Sequence, residues 1–207
     1  MDAGTGTGLI ARAAAPHVAK VTGIDISPEM MDGLQKHHPP NCEFLVGDIR
    51  RLDFSSGGFS KVFARMVFHS LMDETGHAAR ECHRVLQAGG RFILSEGIPP
   101  VKLAGEWYTR MFRLKEQRLT FFPDTLEALL TRVGFVNVGA TIHVSPQVSI
   151  RNWLENSGLP LARQAEIMQV HRAMPPAIRK AYRATFTNEG DVRLDMKFAI
   201  VVGTKPA

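Results

Sequence analysis

The chain has 207 residues, 44% of them hydrophobic, and a formal net charge of +5, which suits one globular domain with a sizeable core. No stretch approaches the roughly 18 to 20 uninterrupted apolar residues of a membrane helix, and the start MDAGTGTG lacks the basic and apolar regions of a secretory leader. Cys42 and Cys82 stand alone, without metal-ligand spacing and too few for a disulfide framework, so free thiols, no bound metal and a cytoplasmic protein are expected.

The charge is unevenly placed: residues 1–96 carry 10 Lys/Arg against 11 Asp/Glu, and residues 97–207 carry 15 against 9. The basic residues of the second half are scattered among helical positions rather than interleaved with aromatics in one run. That argues against a nucleic-acid partner and leaves a solvated helix face, such as Arg179, Lys180 and Arg183, or an anionic substrate.

To about residue 96 the pattern alternates β-rich runs with helical ones, the form of a doubly wound, mostly parallel sheet. A helix is expected from about Gly8 to Ala15. Strands are expected at Val21 to Asp25, Glu43 to Val46, Phe59 to Ala64 and Gly90 to Ser95. A second helix starts at Ser27 as N-cap with Pro28 at its first position. A third, from about Glu74 to Gln87, presents Ala78, Cys82 and Val85 on one face and is expected to stop at Gly89-Gly90. Beyond Pro99-Pro100 the rhythm changes. Trp107, Met111 and Leu114 recur at helical spacing, and a helix from Pro123 to Val133 ends at Gly134 before a strand from Phe135 to Val144. A helical stretch from Ile150 to Phe186, interrupted by Gly158, Pro160 and Pro175-Pro176, carries Ile178, Tyr182 and Phe186 as a stripe. It is long for a connection between strands and reads as an inserted cap. A last strand follows at Val192 to Gly203.

The strongest local motif is Asp2-Ala3-Gly4-Thr5-Gly6-Thr7-Gly8 ahead of a helix. Glycines there allow positive φ and a close backbone approach to a ligand, and the helix start offers N–H groups. The loop reads GxGxG rather than GxGxxG, yet Asp25 follows at about the distance of a dinucleotide fingerprint, so two cofactor classes stay open on the loop alone. Asp25, ending its strand, can accept from both hydroxyls of a ribose. Asp48 in Gly47-Asp48-Ile49 can accept from an adenine amino group while Ile49 packs on the ring; each could equally start a turn.

Taken together these residues resemble the class I S-adenosylmethionine-dependent methyltransferases of the small-molecule type. The glycine loop matches that family's Asp-x-Gly-x-Gly-x-Gly, and Arg84-Val85-Leu86-Gln87-Ala88-Gly89-Gly90 is similar to its signature leading into strand five. The resemblance covers Met1 to Glu96 well and is weak from Ser145 to Gly190. It implies a Rossmann-like sheet with an antiparallel last strand and transfer of a methyl group from S-adenosylmethionine to a small molecule. It also implies cofactor contacts from Asp2, Gly4, Thr5, Gly6, Gly8, Asp25, Ile26, Asp48, Ile49 and Arg65.

If a general base is used, His69 and Glu96, at the ends of strands four and five, are the candidates. Trp107, Tyr108 and Phe112 fall where the family places a substrate lid, although aromatics at helical spacing also read as plain core. The chain is expected to form a single domain: cofactor core 1–97, lid 98–122, the rest of the sheet in 123–144 and 191–203, and a helical insertion 145–190. Two departures stand out. Phe59-Ser60 replaces the usual aromatic-Asp pair, and only Met1 precedes the motif where the family has a longer first strand. The expectation is a truncated reading with an uncovered slot in the sheet, through which two copies could pair. An NAD-type oxidoreductase and a non-catalytic nucleoside-binding module remain the alternatives.

Overall fold

A computed structural model describes residues 1–207, the side chain of Gln35 excepted. The chain divides into two compact units, one of residues 1–96, 123–141 and 200–207, the other of residues 97–122 and 142–199.

In the first unit β1 (Asp2–Ala3) leads to α1 (Leu9–Ala14), β2 (Val21–Asp25), α2 (Pro28–Gln35), β3 (Cys42–Val46), β4 (Phe59–Arg65), α3 (Thr75–Val85) and β5 (Leu86–Ile98). After residue 122 come α5 (Pro123–Val133) and β6 (Val136–Ser149), and β8 (Val192–Thr204) closes the chain. The sheet order is β3-β2-β1-β4-β5-β8-β6. Neighbours from β3 to β5 run parallel. Lys205, just after β8, donates its N–H to Gly90 O at 2.8 Å and accepts from Gly89 N at 3.0 Å, joining the end of the chain to β5.

Both faces are covered, as parallel strands require. On one, Ala11 and Ala15 with Met31 and Leu34 of α2 bury Val21, Cys42 and Phe44. On the other, Phe92 of β5 stacks on Phe135 at 5.5 Å and meets Phe68 at 5.9 Å, with Ala78, Cys82 and Val85 of α3 fully buried, the three residues expected on that face.

Several boundaries differ from the sequence expectation. The third helix ends at Val85 rather than running to Gly89-Gly90, because Leu86 is already extended (φ −72°, ψ 140°) and pairs with Phe59. Gly89 instead turns within β5 at φ 72°. β1 holds two residues, pairing Asp2 and Ala3 with Gly23 and Ile24 on one side and Phe63 and Ala64 on the other. Beyond it, between β2 and β4, lies a cavity of about 190 Å³ reached by Val21, Thr22, Ser60 and Lys61.

The second unit packs α4 (Gly105–Arg113), α6 (Ile150–Glu155), α7 (Leu161–Arg172) and α8 (Pro176–Ala181) around Val192 and Leu194 of β8. The stretch expected as helical to Phe186 ends earlier: β7 (Thr185–Phe186) pairs antiparallel with β8. Ile178 and Tyr182 are buried, but Phe186 lies outside the stripe, half-exposed, with the Arg179 guanidinium 4.4 Å from its ring centre. Two carboxylates, Asp191 just before β8 and Asp195 within it, tie it to neighbouring segments. Asp191 accepts from the Ser149 hydroxyl and from the N–H of Arg151 and Val192. Asp195 accepts from Gln147 N and Nε2 and pairs with Arg183; both partners are left-handed, at φ 48° and 49°.

Candidate functional site

The sharp turn between β1 and α1 is made by three glycines with positive φ, Gly4 at 74°, Gly6 at 51° and Gly8 at 74°. Two carboxylates hold it. Asp2, buried, accepts from the Thr5 hydroxyl at 2.6 Å and from Ala11 N of the first helical turn at 3.0 Å. Burial raises its pKa, against which the Thr5 and Ala11 bonds act. Asp25, ending β2, accepts from Gly6 N at 2.8 Å with one oxygen and from Ser27 N at 3.1 Å with the other. One of the N–H groups expected to be offered by the helix start is therefore occupied, the one on Ala11.

The loop opens onto a cavity of about 400 Å³, within the size range of small-molecule sites. Of the expected residues, Asp2, Gly4, Thr5, Gly6, Asp25, Ile26 and Arg65 line it, joined by Thr7, Leu9, Ile10, Met66, Val67 and Ser70. Ile26 and Leu9 are 62% and 60% exposed, apolar surface that a flat ring could cover. Arg65, at the exit of β4, is exposed at the cavity. Gly8 packs under the loop, where an added Cβ would stand 2.7 Å from Leu34 Cδ2.

Asp48 and Ile49 do not line this cavity. Asp48 is held by the Arg50 guanidinium, at 3.0 Å to Nε and 2.7 Å to Nη2, and accepts from Arg50 N at 2.8 Å. The guanidinium keeps its carboxyl below the ordinary aspartate value. The Ile49 side chain is buried in the core. A charged neighbour two positions on was the available sign that Asp48 has a partner within its own turn.

His69 and Glu96 come together behind the cavity, His69 Nδ1 lying 2.8 Å from Glu96 Oε2. Both are buried, and neither lines the cavity. Met66, Val67 and Ser70 were not foreseen: Met66 adopts φ 54°, and a methionine in left-handed backbone has no local sequence signature. Trp107, Tyr108 and Phe112 form the core of the second unit with Met111, Ile167 and Tyr182. Tyr108 and Phe112 pack at 4.5 Å, and the Arg118 guanidinium lies 4.3 Å from the Phe112 ring centre. Their burial fits the core reading of those aromatics.

The model of the "Methyltransferase domain" family matches residues 1–94. A demethylmenaquinone methyltransferase of Deinococcus radiodurans is 30% identical over 190 residues, 89% of this chain and 69% of that protein. One from Thermotoga maritima is 36% identical over 103 residues, 48% of this chain and 44% of that protein. The chain spans about half the length of the Thermotoga relative and of two demethylmenaquinone methyltransferases from Chlorobaculum species, of which it covers 47%. Among solved structures, the YcgJ protein of Bacillus subtilis superposes with a TM-score of 0.86 at 22% identity, covering 100% of this chain and 91% of the other; that likeness shows the fold. With its glycine loop, strand order and these relatives, the chain belongs to the class I S-adenosylmethionine-dependent methyltransferase family.

Proposed function

We propose that the glycine-loop cavity binds S-adenosylmethionine and that the chain transfers its methyl group to a small-molecule acceptor. The observation that carries this reading is the convergence of the triple positive-φ loop, the Asp25 carboxylate and the exposed Ile26 and Leu9 on one cavity. Asp25 spends one bond on each oxygen, and a carboxylate has about four acceptor sites, so capacity remains for a ribose diol. Gly6 has no atom within 4 Å of a would-be Cβ, leaving its surface open to the bound nucleoside. Ile26 and Leu9 offer faces to an adenine ring, and Arg65 offers charge to an amino-acid carboxylate.

When bound, the donor supplies an already activated sulfonium methyl. The protein's share is then orientation and exclusion of water. Asp2 holds the loop rigid from below, and Asp25 holds it from the end of β2. The chain's own contribution at the cavity is to binding and alignment. The relatives named demethylmenaquinone methyltransferase make demethylmenaquinone the first acceptor to assay.

Calorimetry with S-adenosylhomocysteine and with NAD in parallel tests the reading. Binding of S-adenosylhomocysteine, and methyl transfer from labelled donor to demethylmenaquinone or to a component of a cell extract, is the expected result. Binding of NAD alone would overturn it.

A further inference from the structure

Glu96 is fully buried at 0% exposure at the end of β5, and its carboxylate meets four groups of one short turn. One oxygen accepts from the N–H of Val67 at 3.0 Å, Phe68 at 2.7 Å and His69 at 3.4 Å. The other lies 2.8 Å from His69 Nδ1. Three successive amides converging on one oxygen make an anion nest, here filled by a side chain of the protein. The residue just before the nest, Met66, stands at φ 54° and donates its N–H to Ser95 O at 2.9 Å. A side chain in that region is strained and persists where its surroundings hold it.

The turn so held forms a wall of the cavity. Met66, Val67 and Ser70 line it, whereas Glu96 and His69 do not. Val67 also reaches the glycine loop: a Cβ on Gly4 would stand 2.7 Å from Val67 Cγ2. A chain of direct contacts therefore runs from Glu96 through the nest to Val67 and the glycine loop, with no charged group of the pair exposed to the ligand.

We infer that Glu96, with His69 as its partner, is a positioning residue that clamps the 66–70 turn into the wall of the donor site, rather than an acid or base of the reaction. This rests on the reading of the cavity as the donor site. The clamp acts on donor affinity, so truncating it loosens donor binding and leaves the chemical step nearly intact once the donor saturates.

The test compares wild type with Glu96→Ala, Glu96→Gln and Glu96→Asp. The readouts are the S-adenosylhomocysteine Kd by calorimetry, the split between donor KM and kcat, and amide exchange of residues 66–70. Glu96→Ala is expected to raise Kd and donor KM about tenfold or more and kcat to change by less than about threefold, with faster exchange of the 67–69 amides. Glu96→Gln keeps an acceptor for the amides and a donor for His69 Nδ1, so it restores Kd to within about threefold of wild type. Should Glu96→Ala fail to fold, Glu96→Asp, whose shorter arm withdraws from the nest, is read in the same way.

Unchanged Kd in a folded Ala or Asp variant overturns the inference. So does a kcat loss of about a hundredfold at unchanged Kd, which would mark a chemical role. Failure of the wild type itself to bind S-adenosylhomocysteine would instead remove the reading of the cavity on which the clamp depends.

Discussion

Asp25 does two jobs with one carboxylate, closing the glycine loop through Gly6 N and facing the cavity. Replacing it by Ala is expected to weaken S-adenosylhomocysteine binding by about 1–3 kcal/mol, the cost of leaving polar partners unpaired; calorimetry on the variant measures it, and unchanged affinity would show that Asp25 has no part in the site. Gly4 is constrained differently. Its φ of 74° and the 2.7 Å approach of Val67 to a would-be Cβ make Gly4→Ala both strained and crowded. A loss of about 1–3 kcal/mol is expected from the left-handed backbone alone, read as a lower denaturation midpoint. The Asp48–Arg50 pair is partly exposed, so solvent screening keeps its contribution to stability small.

At the scale of elements, buried polar groups decide how the helices and loops of the second unit are held. His171 of α7 is 1% exposed, donates its Nδ1–H to Ile167 O at 2.8 Å, and stands edge-on to Trp107 at 5.4 Å. Burial pushes its pKa below the ordinary histidine value, with the bond to Ile167 opposing. The sign follows from linkage. Above about pH 6.5 the ring is neutral in both states. Below it, the unfolded chain takes up a proton that the folded chain resists, so stability falls as pH drops. Urea midpoints at pH 7.5 and 5.5 should differ in that direction, and His171→Leu should reduce the difference. It should not abolish it, because His83 is shifted downward by burial as well.

Asp191 offers a second test at this scale. Burial raises its pKa, but the Arg151 amide, the Ser149 hydroxyl and the Val192 amide outweigh this and hold it below the ordinary aspartate value. Asp191→Asn keeps the shape but removes the charge and turns the acceptor that faces the Ser149 hydroxyl into a donor. A loss of about 1–3 kcal/mol is expected, measured by thermal unfolding, and no loss would mean that water replaces the carboxylate at no cost.

For the whole molecule, donor binding and folding are linked by mass action. A ligand at about 100 times its Kd stabilises the state that binds it by about 2.7 kcal/mol, so saturating S-adenosylhomocysteine should raise the unfolding midpoint accordingly. Amide exchange should slow at residues 4–8 and 66–70 of the first unit, where the cavity is built. Equal protection with and without ligand would place binding elsewhere.

Periodicity and punctuation in the chain determined the order of strands and helices to within a few residues. Ser27-Pro28 starts α2, accepting from Met30 N, and Pro123 to Val133 marks α5, because caps and apolar spacing are local signals. The loop glycines and Asp25 were legible for the same reason, since positive φ and a strand-end carboxylate have residue preferences. Only the tertiary structure decided the rest. Leu86 left the helix early because a partner strand was there to pair with it, and Phe186 left its stripe because β8 took its backbone. Asp48 turned to Arg50, and Trp107, Tyr108 and Phe112 turned to core. His69 and Glu96, 27 residues apart, became a clamp behind the cavity instead of groups within it, a relation set by where β4 and β5 end side by side rather than by any pattern along the chain.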